Sequence, residues 1–241
     1  MNRLHFACEA VVTDIEGTTG STAFVKDVLF PYADAQMEQY LQSHRHEAEI
    51  CELLAEVARA AEVDPDNFDG LVAQLRRWIA QDEKFTPLKT LQGKIWACGY
   101  ADGALLGHVY DDAADSLRKW HSTGLKIFVY SSGSVAAQRL LFSHSVAGDL
   151  TALFDGYFDT TTGPKREADS YSSIARAIAL PAGRILFLSD SPAELDAARE
   201  AGFRTVQVVR ANDETVAAPS HVWIRSFSEL DLEPAAQIHS S

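Results

Sequence analysis

The feature that most constrains the fold is the alternation of short apolar segments with amphipathic segments after residue 111. The apolar segments lie at residues 126–131, 156–159, 184–190, 204–209 and 222–224. The amphipathic segments, with apolar positions at helical spacing, lie at residues 112–121, 134–142, 167–179 and 193–201. Apolar strands that alternate with helices are typical of a parallel sheet covered on both faces. The pattern therefore predicts an α/β fold.

One further apolar segment, at residues 9–16, has no strand-forming neighbour until residue 126. The simplest arrangement places it in the same sheet, as its first strand. Residues from about 24 to 110 carry apolar stripes at helical spacing and no convincing strand. We therefore expect a Rossmann-like, mostly parallel sheet core from residues 1–22 and 111–241. An all-helical cap domain at residues 23–110 would follow the first strand, above the strand ends where open α/β sheets bind ligands.

Composition restricts the partners and the compartment. The 241 residues carry a net charge of −13, which argues against nucleic acid or an anionic membrane as a partner. Cys8, Cys51 and Cys98 are odd in number and far apart, which favours reduced thiols in a cytosol. No apolar stretch is long enough to span a bilayer, and the first residues lack a signal-peptide pattern. We expect a cytoplasmic protein.

Polar side chains follow four of the predicted strands. They are Asp14 and Glu16, then Ser131, then Lys165 in the loop after residues 156–159, and finally Asp190. Taken singly, each has an ordinary explanation, such as a helix cap, a turn or a solvated loop lysine. Because the carboxyl ends of parallel strands meet at one edge of a sheet, we expect these side chains to lie together.

This set of groups suits phosphoryl transfer. A carboxylate nucleophile splits the hydrolysis of a phosphate monoester into two steps through an aspartyl-phosphate. The phosphate dianion repels that carboxylate, so cations are needed, and Mg²⁺ in proteins commonly takes one or two carboxylates with water and phosphate. Asp14 and Asp190 would supply this pair of carboxylates. Lys165 would place a positive charge on the phosphoryl oxygens, and Ser131 would add a neutral donor.

The spacing of Asp14 and Glu16 suggests a division of labour. On an extended strand, residues i and i+2 point the same way, so we expect both carboxyl groups to face the ligand. One would attack phosphorus. The other would give a proton to the leaving oxygen and then take one from the hydrolytic water.

Several segments resemble the enolase-phosphatases, a family of haloacid-dehalogenase-like hydrolases. They are residues 14–19, 24–32, 91–96, 130–138, 163–165 and 187–190. The first segment resembles the nucleophile motif of the superfamily, which usually carries aspartate two residues after the nucleophile. Glu16 occupies that position here and matches the enolase-phosphatase variant of the motif. The resemblance covers nearly the whole chain, the expected cap included.

The resemblance implies a bifunctional enzyme of methionine salvage that depends on one Mg²⁺ per chain and acts as a monomer. Its substrate would be a small molecule, 2,3-diketo-5-methylthiopentyl-1-phosphate, which is enolised and then dephosphorylated to the acireductone 1,2-dihydroxy-5-methylthiopent-1-en-3-one. Carried over by position, Asp14, the Glu16 carbonyl and Asp190 would hold the metal. Ser131, Ser132 and Lys165 would contact the substrate. As a hypothesis from side-chain length, Glu16 removes the proton in the enolisation step.

The sequence leaves two alternative functions open. The first is another Mg²⁺-dependent phosphatase of the same superfamily that acts on a different small phosphate monoester. Glu16 and the segments of the expected cap argue against it. The second is a phospho-receiver or phosphate-sensing module, which also combines aspartate, hydroxyl and lysine at strand ends. A receiver is about half this length and carries its acceptor on a middle strand, whereas Asp14 ends the first predicted strand.

Overall fold

A computed structural model of the chain describes residues 3–234, and within it the chain forms two compact units. The first contains the described residues up to Thr22 and from Gly107 onwards, and the second is Ala23–Leu106. The predicted division after residue 110 differs from this one. Residues 107–110 belong to the first unit because their backbone pairs with it: the amide of Gly107 donates to His144, and that of Tyr110 to Thr19.

A parallel sheet organises the first unit. The strands of the unit are β1 Leu4–Cys8, β2 Ala10–Thr13, β3 Lys126–Tyr130, β4 Gly156–Phe158, β5 Ile185–Ser189, β6 Arg204–Val208, β7 Trp223–Ile224 and β8 Leu230–Pro234. Six of them form one sheet in the order β4-β3-β2-β5-β6-β7, with every neighbouring pair parallel. Central strands β2 and β5 are buried along their whole length, as their apolar composition requires. The predicted α/β fold with a mostly parallel sheet is confirmed.

Helices follow most of the sheet strands. In chain order the helices are α1 Thr22–Phe24, α2 Phe30–His44, α3 Ala48–Ala61, α4 Phe68–Ala80, α5 Thr86–Ala101, α6 Asp111–Ser122, α7 Val135–Ser143, α8 Ala168–Ile178 and α9 Pro192–Glu200. A π-helical turn, Val25–Leu29, joins α1 to α2. Among residues 3–234, no helix combines the length and apolar character needed to cross a bilayer.

The main apolar cluster of the first unit lies between the sheet and helices α8 and α9. Tyr171 of α8 lies near its centre, with its ring edge-on to those of Tyr130 and Phe187. Edge-to-face contacts of this kind add to the free energy gained from burying the rings. Helix α8 is thereby packed against two of the strands whose ends carry the candidate site residues.

The second unit has its own apolar core. Residues 23–106, all of which the structure describes, contain helices and turns and no strand. Met37 and Leu41 of α2 pack with Ile50 of α3 and Leu75 of α4, and all four are fully buried. The i, i+4 spacing of Met37 and Leu41 places both on one face of their helix. This stripe explains why the segment folds as helices.

The start of the chain differs from the expectation in two respects. Strand β1 precedes the predicted first strand and pairs in parallel with β8, in a separate two-stranded sheet with Leu4 opposite Leu230. Neither of these strands was predicted. The segment that begins near residue 9 lies in the large sheet as expected and is the first of its strands in chain order, although β1 precedes it in the chain. Its predicted extent is wrong, because β2 ends at Thr13. The chain then turns, since the amides of Thr18 and Gly20 both donate to the Ile15 carbonyl.

Candidate active site

The carboxyl ends of four neighbouring strands meet at one edge of the large sheet. In the register of the sheet, Thr13 at the end of β2 lies opposite Val129 of β3 and Leu188 of β5. The candidate residues follow these strands: Asp14 after β2, Ser131 after β3, Lys165 in the loop after β4 and Asp190 after β5. The sheet therefore brings them to the same edge, and every one of them lies in the first unit.

Lys165 lies at the centre of the site. Its Nζ is 2.8 Å from Asp14 Oδ1 and 2.8 Å from Glu194 Oε2, and its side chain is only 7% exposed. Burial alone would lower the pKa of this ammonium, but the charges and hydrogen bonds of the two carboxylates raise it, so Lys165 stays protonated. The hydroxyl of Tyr171 donates to the Lys165 carbonyl over 2.7 Å and fixes the loop that carries the lysine.

The carboxylate of Asp14 is engaged on one side. Its Oδ1 accepts hydrogen bonds from the Lys165 ammonium and, over 2.7 Å, from the Ile15 amide. Its Oδ2 accepts none from the residues that the structure describes. The backbone is held as well, because the Asp14 amide donates to Leu188 and the Asp14 carbonyl accepts from the Thr19 hydroxyl. Asp14 thus presents one oriented oxygen in a buried site beside the Lys165 ammonium.

Asp190 packs against the turn that follows Asp14. Its amide donates to Thr18 Oγ1 over 3.0 Å. Gly17 has a φ of +68°, and a Cβ at that position would lie 2.6 Å from Asp190 Oδ2. Burial and the charge of Asp14 raise the pKa of Asp190 to about 7, against the opposing effect of Lys165. Asp14 is therefore close enough to act on the charge of Asp190.

Glu16 lies in a turn and not on an extended strand. Ile15 is a turn residue, and Glu16 forms an isolated parallel bridge with Gly20. The expectation that Asp14 and Glu16 share a strand face is therefore wrong in its geometry. The charge of Glu16 nevertheless contributes to raising the pKa of Asp190, so the carboxylate lies near the same site.

Ser131 and Ser132 occupy the turn between β3 and α7. Ser131 is buried, and its Oγ accepts a hydrogen bond from the Gly133 amide. Ser132 is exposed. The Gln138 amide group supports this turn by donating to the carbonyls of Gly133 and Phe158. The sheet brings both serines to the edge that carries Asp14.

Glu194 is a further carboxylate of the site, and its position in the sequence does not show which group it contacts. Its spacing from Asp190 suggests a residue that orients the metal ligands, whereas in the structure it accepts from the Lys165 ammonium and from Ser189 Oγ. Burial and the charge of Asp14 raise its pKa, while Lys165 opposes that shift. The support of Lys165 by Tyr171 was missed, because the helical periodicity of Tyr171 indicates only a core residue.

The residues at this edge match the ligand preference of Mg²⁺. Residues 3–234 contain no group of three His, Cys, Asp or Glu side chains that could hold a metal. Mg²⁺ does not need one, because it is commonly held by one or two carboxylates together with other oxygens. Asp14 and Asp190 provide two adjacent carboxylates whose repulsion contributes, after burial, to the raised pKa of Asp190. A divalent cation would relieve that repulsion.

Comparison with known proteins places the chain in a family. The sequence model of the haloacid dehalogenase-like hydrolases matches residues 8–202. The chain therefore belongs to the haloacid dehalogenase-like hydrolase family.

Similar proteins show to which group within this family the chain belongs. The chain is 52% identical to Enolase-phosphatase E1 of Pseudomonas aeruginosa (strain LESB58), over 93% of this chain and 99% of that protein. It is 51% identical to Enolase-phosphatase E1 of Hahella chejuensis, over 94% and 97%. The crystal structure of the UTR4 protein of Saccharomyces cerevisiae superposes with a TM-score of 0.80 at 35% identity, over 92% of this chain and all of that one. Within the hydrolase family, the chain belongs to the enolase-phosphatases.

Proposed function

We propose that this enzyme enolises 2,3-diketo-5-methylthiopentyl-1-phosphate and then removes its phosphate, yielding the acireductone 1,2-dihydroxy-5-methylthiopent-1-en-3-one in methionine salvage. The observation that carries the proposal is the contact of the buried Lys165 ammonium with Asp14 Oδ1, which leaves Oδ2 of the same carboxylate for attack. Membership of the enolase-phosphatases supports the choice of substrate.

In the phosphatase step, Asp14 is the nucleophile. Its Oδ2 forms the bond to phosphorus while the ester bond to the enol oxygen breaks, giving an aspartyl-phosphate. Glu16 gives a proton to the leaving oxygen. Glu16 then accepts a proton from the water that attacks the aspartyl-phosphate, and inorganic phosphate leaves with Asp14 regenerated. Lys165 stays charged throughout and stabilises the phosphoryl oxygens.

A magnesium ion would be held by Asp14, the Glu16 backbone carbonyl and Asp190. When bound, it neutralises charge between the phosphate dianion and the attacking carboxylate. The raised pKa of Asp190 supports this assignment, because it reports a buried carboxylate beside another one. The requirement for one Mg²⁺ per chain is part of the proposal.

Substrate contacts are assigned to Ser131, Ser132 and Lys165. Ser131 and Ser132 would donate to the phosphate or to the diketone oxygens from the turn after β3. In the enolisation step, we assign Glu16 as the base that removes the proton next to the carbonyl, with Lys165 stabilising the enolate, whose oxygen then takes a proton from water. The helical unit Ala23–Leu106 is proposed to be the cap domain of the enzyme. We further propose that the enzyme is a cytoplasmic monomer.

The test is an assay with the diketone phosphate that follows enol absorbance and phosphate release together. We expect absorbance to rise before or with phosphate release, and a chelator to suppress phosphate release until Mg²⁺ is restored. Phosphate release from this substrate with no enol formed would favour a phosphatase without enolase activity. Full activity in excess chelator would contradict the proposed metal site.

A further inference from the structure

Arg210, beyond the end of β6, is a buried arginine that contacts the turn after Asp14. The side chain is 6% exposed, and its Nε and Nη2 donate to the Thr18 carbonyl over 3.0 and 2.8 Å. Its Nη1 lies 2.9 Å from both carboxylate oxygens of Asp112. The guanidinium therefore joins the catalytic turn to the start of helix α6.

Thr18 connects this arginine to Asp190. Its carbonyl accepts the two Arg210 hydrogen bonds, and its Oγ1 accepts the Asp190 amide over 3.0 Å. The Thr18 amide donates to Ile15, so every polar group of this fully buried residue is engaged. A displacement of Thr18 would move the backbone of Asp190 relative to Asp14.

We infer that Arg210 is a positioning residue, which acts through Thr18 to set the relative placement of the Asp14 and Asp190 carboxylates. The inference rests on the proposed function, because it assigns Arg210 a part in forming the magnesium site described there. Arg210 touches neither carboxylate. It acts through Thr18, whose Oγ1 accepts the Asp190 backbone amide, in the way that hydrogen-bonded partners of metal ligands determine the geometry of a metal site.

The arginine is itself held rigidly. Asp112 also accepts from Ser226 Oγ and from the Phe227 amide, and the guanidinium lies 4.2 Å from the centre of the Tyr110 ring. A planar guanidinium can satisfy the Thr18 carbonyl and the Asp112 carboxylate at once, whereas the ammonium of lysine is a single point charge. The geometry therefore needs arginine specifically, and not only a positive charge.

The test compares Arg210→Lys with the matched variant Asp112→Asn. The first removes the paired contacts to Thr18, whereas the second weakens the other side of Arg210 and leaves those contacts in place. Mg²⁺ binding is measured by calorimetry on the metal-free protein without substrate. Hydrogen exchange of the Asp190 amide is followed by NMR in the same metal-free samples.

We expect Arg210→Lys to weaken Mg²⁺ binding about tenfold or more and to speed exchange at Asp190 by a similar factor. Asp112→Asn should lower the melting temperature but change Mg²⁺ affinity less than about twofold. Thr18→Val, which removes only the acceptor for the Asp190 amide, should weaken Mg²⁺ binding as Arg210→Lys does. It provides the test if Arg210→Lys does not fold.

Two results would overturn the inference. One is wild-type Mg²⁺ affinity with an unchanged Asp190 exchange rate in the Arg210→Lys protein, or in Thr18→Val if the former is unfolded. The other is a loss of Mg²⁺ affinity in Asp112→Asn equal to that in Arg210→Lys, which would mean that Arg210 only stabilises the fold. Failure of the proposed function would give a different result. The wild-type protein would then leave the diketone phosphate unchanged, while hydrogen exchange of the Asp190 amide would still show whether Arg210 positions that residue.

Discussion

The Lys165 ammonium lies 2.8 Å from Asp14 Oδ1, with both side chains only 7% exposed. A buried ion pair of this kind is weak evidence for stability, but removing one partner leaves an uncompensated charge in the interior. Here the ammonium also contacts Glu194, so its removal would leave two carboxylates facing each other.

Lys165→Met should lower the free energy of unfolding by about 3–5 kcal/mol in the metal-free protein near neutral pH. The combined variant Lys165→Met/Glu194→Gln should recover part of that loss, because it removes one of the two carboxylates. Denaturant unfolding measures both. Lys84→Met is the matched control, since its pairing with Asp82 is largely exposed and should contribute little. Equal stability of Lys165→Met and the wild type would contradict the prediction.

Asp14→Asn should lower phosphate release at least about a thousandfold, because an amide cannot form the aspartyl-phosphate. The fold should survive, since Lys165 keeps Glu194 as a charge partner. Phosphate release and the thermal unfolding curve are measured on the same preparation. Retained phosphate release at more than a few per cent of the wild-type rate would rule out Asp14 as the nucleophile.

Glu16→Asp tests the base assigned to the enolisation step. The shorter side chain should reach the substrate proton less well, so the rise in enol absorbance should slow by about tenfold or more. The measurement follows enol absorbance under single-turnover conditions. A variant that enolises at the full wild-type rate would refute the assignment of Glu16 as this base.

Gly17→Ala should weaken Mg²⁺ binding, because its Cβ would lie 2.6 Å from Asp190 Oδ2 and displace that carboxylate. The substitution also carries about 1–2 kcal/mol of backbone strain at positive φ. Gly124→Ala separates the two effects, because Gly124 has a φ of +85° and a Cβ added there would meet no neighbouring group within 4 Å. Calorimetry should show weakened Mg²⁺ binding for Gly17→Ala alone, while both variants lose stability. Equal affinities in the two would contradict the close approach.

Cys8 should resist alkylation in the folded protein. Burial raises the pKa of its thiol from 9.0 to about 11, against a smaller effect of Arg204, whereas Cys51 and Cys98 are exposed. At mildly alkaline pH, iodoacetamide should modify Cys51 and Cys98 first, as read by mass spectrometry, and reach Cys8 only in denaturant.

The same shift in the Cys8 pKa makes the free energy of unfolding depend on pH. The unfolded thiol loses its proton near pH 9 and the folded one only near 11. The contribution of Cys8 is therefore fully present below pH 9 and is lost as the pH rises towards 11. Cys8→Ala should flatten this part of the stability profile. Rapid native labelling of Cys8 would disprove its burial.

The strand-end residues were predictable because the evidence for them is local. The strands before Asp14 and Asp190 are unbroken apolar runs, and the ends of parallel strands share an edge whatever the exact order of the strands. The extent of β2 was not predictable in the same way. Two amides that donate to the Ile15 carbonyl close a turn over residues 15–20 that contains Glu16. Apolar periodicity does not indicate such a turn.

Long-range contacts account for the rest of what was missed. Strand β1 alternates half-buried and exposed positions over four residues before the buried Cys8, which is too short a pattern to separate from a loop. Its partner β8 lies at the other end of the described chain. Arg210 follows an ordinary strand, and only the folded structure places it against Thr18. Interactions between distant segments depend on tertiary packing, which local patterns do not encode.

The pairing of β1 with β8 bears on how the chain reaches its folded state. With Leu4 opposite Leu230, β1 emerges from the ribosome long before its partner is synthesised. Until then its backbone edge is unpaired and open to association with other chains. Closing so long a loop is entropically slow, so this small sheet should be among the last parts of the nascent enzyme to form. A chain stalled before residue 230 would keep that edge exposed.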